Sequence, residues 1–68
     1  MRKYNHETDS GLVRSAVRDI AQSGQQMSWV AVMRWLERHG VTTRVCDDRI
    51  YLPAMFTFVE TLDEAASN

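Results

Sequence analysis

The sequence predicts a mostly helical domain with one two-stranded β-hairpin, in the order helix, helix, hairpin, helix. Three observations predict it. Residues 11–23 and 28–40 repeat apolar side chains at helical spacing. Residues 41–52 switch to alternation, bounded by a pair of aspartates. Residues 54–66 return to helical spacing. A chain of 68 residues forms one small domain with a thin stability margin. We divide it into a loose, aperiodic arm over 1–8 and a single folded unit over 9–66.

The first helix is expected over 11–23, capped by Asp9 or Ser10. Val13, Ala16, Val17 and Ile20 follow the i, i+3, i+4, i+7 rule, with Leu12 alongside. Arg14 and Arg18 lie one turn apart on its outer surface, and Gly24 is a natural stop. Gln25, Gln26 and Met27 make a short link, so the two helices should be neighbours.

The second helix, SWVAVMRWLERHG, is the clearest in the chain and holds both tryptophans. Ser28 can cap its first turn and Gly40 can close its last. On a helical wheel Trp29, Val32, Met33 and Leu36 share the inner side. Ala31, Arg34 and Arg38 share the outer side, with Trp35 between Ala31 and Arg38. After Gly40, Asp47-Asp48 would turn a hairpin that pairs Val45 with Ile50 and Thr43 with Leu52 facing inward. Arg44, Tyr51, Cys46 and Arg49 would then face outward. Pro53 suits the first turn of a third helix, whose apolar face is Met55, Phe58, Val59 and Leu62. Phe56 lies off that face, against the hairpin or exposed.

Composition narrows the function classes. The apolar share of 44% and charged share of 25% are those of a globular domain. The single cysteine, Cys46, allows no internal disulfide, and no Cys/His spacing resembles a zinc site. No stretch is long and apolar enough to span a membrane, and the polar start MRKYNHETDS has no signal-peptide core. A cytoplasmic location is the expectation, with no membrane partner. Net charge is −1, unevenly spread: residues 1–49 carry eight basic and six acidic groups, while residues 50–68 carry three acids and no base. The acidic end can mask a modestly basic body, or be a solvated helix end.

The wording of residues 28–62 resembles the excisionase and MerR-like group of winged helix-turn-helix DNA-binding domains. The carrying residues are S-W-V-A-V-M-R-W-L-E-R-H-G-V, then R-V-C-D-D-R-I-Y-L-P and a short amphipathic helix. The resemblance implies a small non-enzymatic regulator, of phage or mobile-element type, that binds double-stranded DNA. The 28–40 helix would enter the major groove and the 41–52 wing would steady the complex, with a dimer doubling the contacts. The contact set is then Ser28, Arg34, Arg38, Arg44, Arg49 and Tyr51. The chain departs from that group at Trp29-Val30-Ala31, where polar readers usually stand, and at the acidic wing turn.

Each candidate also has a plainer reading. Arg34 and Arg38 suit phosphate or guanine contact, or a solvated face. Arg44 can touch the DNA backbone or stack on Tyr51. Trp35 beside two arginines suits a protein-binding hot spot, or packing under a neighbouring element. The alternative function is therefore a protein-interaction module, as a homodimer or as an inhibitor or adaptor of a host protein. It would use Trp35, with Ala31, Val30 and an exposed Phe56. His39 near a helix end is explained by capping, and neither His39 nor His6 has a catalytic neighbour in sequence. An enzyme, a cofactor and a small-molecule substrate have no sequence support.

Overall fold

The computed structural model of the chain describes residues 1–67. It contains three helices and a two-stranded parallel sheet, in the order β1 (Arg2–Lys3), α1 (His6–Ser23), α2 (Trp29–Arg38), β2 (Val41–Thr42) and α3 (Asp48–Ala66). The fold is thus mostly helical with two strands, as expected; β2 keeps the start of the first expected strand, but its partner is Arg2–Lys3, in parallel, and not residues 49–52.

Helix α1 begins at His6, five residues earlier than the periodicity suggests. Asn5 is its cap, its side chain accepting from the Glu7 N–H at 3.0 Å. The Asp9 carboxylate reaches back to accept the Asn5 N–H at 2.8 Å, so two donors at the helix start are satisfied reciprocally. Val13, Ala16, Val17 and Ile20 are buried, as their spacing requires. Gly24 ends the helix at φ 77°, a left-handed conformation that glycine adopts without a Cβ penalty.

Helix α2 starts on Ser28, whose Oγ accepts the Ala31 N–H at 3.1 Å. Its buried residues are Val32, Trp35 and Leu36, while Val30, Arg34 and Arg38 are exposed. The inner face is therefore rotated toward Trp35 relative to the wheel reading. Gly40, at φ 83°, turns the chain out of the helix into β2.

The first residues are not a loose arm. Strand β1 pairs in parallel with β2, Arg2 opposite Val41 and Lys3 opposite Thr42. The Arg2 N–H donates to the Gly40 carbonyl at 3.0 Å and the Tyr4 N–H to the Thr42 carbonyl at 2.9 Å. Tyr4 and Val41 are buried in the core. Parallel strands need a long crossover, here supplied by α1 and α2.

The expected hairpin is corrected as well. Residues 49–52 are helical, and Asp47-Asp48 is a helix start rather than a turn. Asp47 caps α3, its side chain accepting the Arg49 N–H at 3.1 Å. Both carboxylates then stand at the positive end of the helix dipole, where anions are favoured. Pro53 consequently lies inside the helix, where it has no N–H to donate to the Arg49 carbonyl.

The face of α3 differs too. It buries Ala54, Thr57, Phe58 and Thr61, not the expected set of Met55, Phe58, Val59 and Leu62. Met55 and Leu62 are half-buried and Val59 is exposed. Ala54, Thr57 and Thr61 are small, and the Thr61 hydroxyl donates to the Thr57 carbonyl at 2.7 Å, so its polarity is satisfied within the helix.

Candidate interaction surface

The residues expected to contact DNA do not form one basic surface. Ser28 is spent on capping α2. Arg34 and Arg38 project from α2 one turn apart, exposed, and have no carboxylate within ion-pair distance among the described residues. Arg44 lies in the segment after β2 and is bound to Glu37 of α2, through Nε and through Nη2 at 3.3 Å. The Arg44 guanidinium in turn holds the Glu37 carboxyl below the usual carboxylate range. Arg49 stands in the first turn of α3, 3.4 Å from Asp47. Tyr51 is half-buried, its ring edge-on to Trp29 at 5.7 Å. The wing expected from Arg44, Arg49 and Tyr51 is therefore absent: its second strand is the first turn of a helix.

Two further cations are held internally. Arg2 makes a bidentate pair with Asp9, at 2.7 and 2.6 Å. Arg14 bridges α1 to α3 through Glu60 at 3.6 Å and Glu64 at 3.1 Å. Half of the eight Lys and Arg residues are thus neutralised by nearby carboxylates.

Trp35 is not a surface anchor. It is buried, its indole N–H donates to Asp19 on α1 at 2.8 Å, and its ring stacks on His39 at 3.7 Å. The His39 Nδ1–H donates to the Trp35 carbonyl at 2.8 Å, which caps the end of α2 as expected for a histidine there. Trp29 is half-buried against Tyr51 and Phe58, close to its expected place in the core. Cys46 is a free, half-buried thiol that donates to the Thr42 carbonyl.

Phe56 is exposed, and it has company. It is 66% exposed, with Leu52 at 49% and Val59 at 47%, and these three surround a shallow apolar depression with Met55. The four positions follow i, i+3, i+4, i+7, so they form one stripe along the outward side of α3. Its side chains are larger than the inward Ala54, Thr57 and Thr61, while Phe58 is the large apolar residue on the inward side, with Ile50 and Leu62 packed at its margin. Helix α3 is therefore apolar on both sides, with Phe58 in the core and Phe56 in solvent. The spacing of Leu52, Met55, Phe56 and Val59 is visible in the sequence, but placing Leu52 in a strand splits the set.

The chain matches no protein family, no curated protein and no solved structure. No helix among the described residues is long and apolar enough to cross a membrane.

Proposed function

We propose that the chain is a small, non-enzymatic protein-interaction module that docks through α3. One observation carries this reading: the outward stripe of Leu52, Met55, Phe56 and Val59, on a helix whose inward face is already packed. Clustered exposed apolar side chains on a domain this small mark contact surfaces, whereas single ones need no explanation. The internal pairing of Arg2, Arg14, Arg44 and Arg49 and a net charge of −1 leave little long-range attraction for phosphate. The contact helix is α3 rather than the Trp35 face of α2. A photo-crosslinking residue at position 56, introduced in cells that make the protein, tests this directly. A discrete protein adduct from position 56, and none from the exposed position 22, supports the module. No adduct from position 56 refutes it.

A second reading, a regulator that binds double-stranded DNA through α2, rests on Arg34 and Arg38. They are exposed, unpaired among the described residues, and follow a helix and a short link, as in the helix-turn-helix group the sequence resembles. Titration with random duplex DNA at about 50 mM salt separates the two, because phosphate contacts release counterions and weaken as salt rises. Salt-sensitive binding lost in Arg34→Ala and Arg38→Ala supports the DNA reading. Absence of binding removes it.

A further inference from the structure

We infer that α3 has two competing starts, and that residues 45–52 form a lid that opens as one unit about Pro53, leaving a shortened helix that begins at the proline. The closed form is the one described above, and opening is an excursion from it. Asp47 sets the long start. Its side chain accepts the Arg49 N–H at 3.1 Å, and its carbonyl accepts the Ile50 and Tyr51 N–H groups at 3.1 and 2.8 Å. In that helix Pro53 is interior: it donates nothing to the Arg49 carbonyl, and its ring crowds the same carbonyl. Both faults vanish if the helix begins at Pro53, because a first helical residue needs no N–H partner and proline's fixed φ suits it. The short start then has Leu52 as its cap, with no side-chain oxygen to accept a bond. Each start therefore satisfies what the other leaves out.

Burial changes at the same proline. From Arg44 to Pro53 no residue is buried: Cys46, Ile50, Tyr51 and Pro53 are half-buried and the others exposed. Beyond it Ala54, Thr57, Phe58 and Thr61 are all buried. Segments with few buried contacts cost least to release, so local opening follows such a boundary. The lid is held at both ends, by the pairing of Arg44 with Glu37 of α2 and by Ala54 in the core.

The lid also covers two polar groups that have no partner. Among the described residues, the Trp29 indole N–H and the Thr43 hydroxyl are buried without a hydrogen bond. Trp29 meets Tyr51 of the lid edge-on at 5.7 Å, and Thr43 lines a shallow cavity with Cys46, Asp48 and Tyr51. Opening lets water reach both groups, so their burial weighs against the closed form. Trp29 keeps its contact with Phe58, at 5.5 Å, whether the lid is open or closed. The hinge stands apart from the docking reading. For that reading it is a control, since opening carries Leu52 out of the stripe and leaves Met55, Phe56 and Val59 in the helix.

Native-state amide hydrogen exchange on the full chain, resolved by residue with nuclear magnetic resonance, measures the opening. In the open form the N–H groups of Ile50, Tyr51, Leu52, Ala54 and Met55 lose their acceptors together, whereas those from Thr57 onward keep theirs. The expected result is one shared protection factor for the first group, at least about tenfold below that of residues 57–62. Pro53→Ala gives the Arg49 carbonyl a donor and removes the short start, so it should raise the protection of the first group about tenfold relative to residues 57–62. Asp47→Ala should lower it about fivefold by removing the cap of the long start. Circular dichroism checks that both variants fold. Protection that climbs residue by residue from Ile50 to Met55 is ordinary end fraying and overturns the inference. So does protection equal to that of residues 57–62, or a first group indifferent to Pro53→Ala.

Discussion

Asp9 is 1% exposed, and an aspartate that deep needs compensation. It receives two guanidinium bonds from Arg2 and one N–H from Asn5, joining strand β1 to the start of α1. The Arg2 guanidinium holds the Asp9 carboxyl below the usual aspartate range, against an opposing push from burial. The folded value is depressed, so this stability is present above the ordinary aspartate pKa and is lost as pH falls through the folded value. Asp9→Asn should cost about 1–3 kcal/mol at neutral pH and flatten the acid limb of a stability-versus-pH curve measured by urea melts. Tyr4 gives the opposite limb. Burial, with the Asp9 charge second, pushes its phenol up to about 12. A raised folded value means stability is full below the ordinary tyrosine pKa and falls as pH rises toward 12. Tyr4→Phe should remove that alkaline loss in the same melts. Neither Asp9 nor Tyr4 shows its role in the sequence, because the strand holding them together is two residues long and pairs with β2 across α1 and α2.

At the scale of elements, what repeats was legible and what does not was not. The four-residue rhythm of Val13, Ala16, Val17 and Ile20 is long enough to define a helix face, and Ser28, Gly24 and Gly40 occupy their expected ends. R-I-Y-L is too short for period two to be told from a helical segment, and the chain resolves that ambiguity through Asp47. As a hairpin turn the two aspartates lack glycine; as a cap they satisfy the first turn of α3. Pro53 strengthened the wrong boundary, because proline favours a first turn but here sits in the sixth helical position. Gly11 provides a test of the extended α1. It lies in mid-helix, and a Cβ there would meet nothing within 4 Å. Gly11→Ala should stabilise the domain by about 0.5–1 kcal/mol in denaturant unfolding. A residue in a loose segment before the helix would give no such gain.

Across the whole molecule, the core and the candidate surface lie on opposite sides of one helix. The domain measures 31 × 21 × 17 Å, and α3, at 19 residues, is its longest helix. Phe58 and Phe56 are two positions apart but belong to different environments, at 7% and 66% exposure. Phe58→Ala should cost about 3–5 kcal/mol. Phe56→Ala should change stability by no more than about 0.5 kcal/mol while removing the proposed contact. Equal losses in thermal melts would mean that both rings are core. Only part of the candidate surface is legible in the sequence. Phe56 stood out as off the expected face, whereas Trp35, equally prominent on the wheel, is covered by α1 and bonded to Asp19. A wheel reports which residues share a side, and the neighbouring helices decide which side is covered.

The outward stripe exists only if α3 begins at Asp48 and runs unbroken past Pro53, so the conformation of residues 48–56 decides the account. Backbone chemical shifts and proton–proton contacts from nuclear magnetic resonance on the full chain measure it. Helical carbon shifts over 48–56, with medium-range contacts from Asp48 to Leu52, are the predicted result. Extended shifts over 49–52 with cross-strand contacts between Val45 and Ile50 would contradict it and restore the hairpin in place of the stripe.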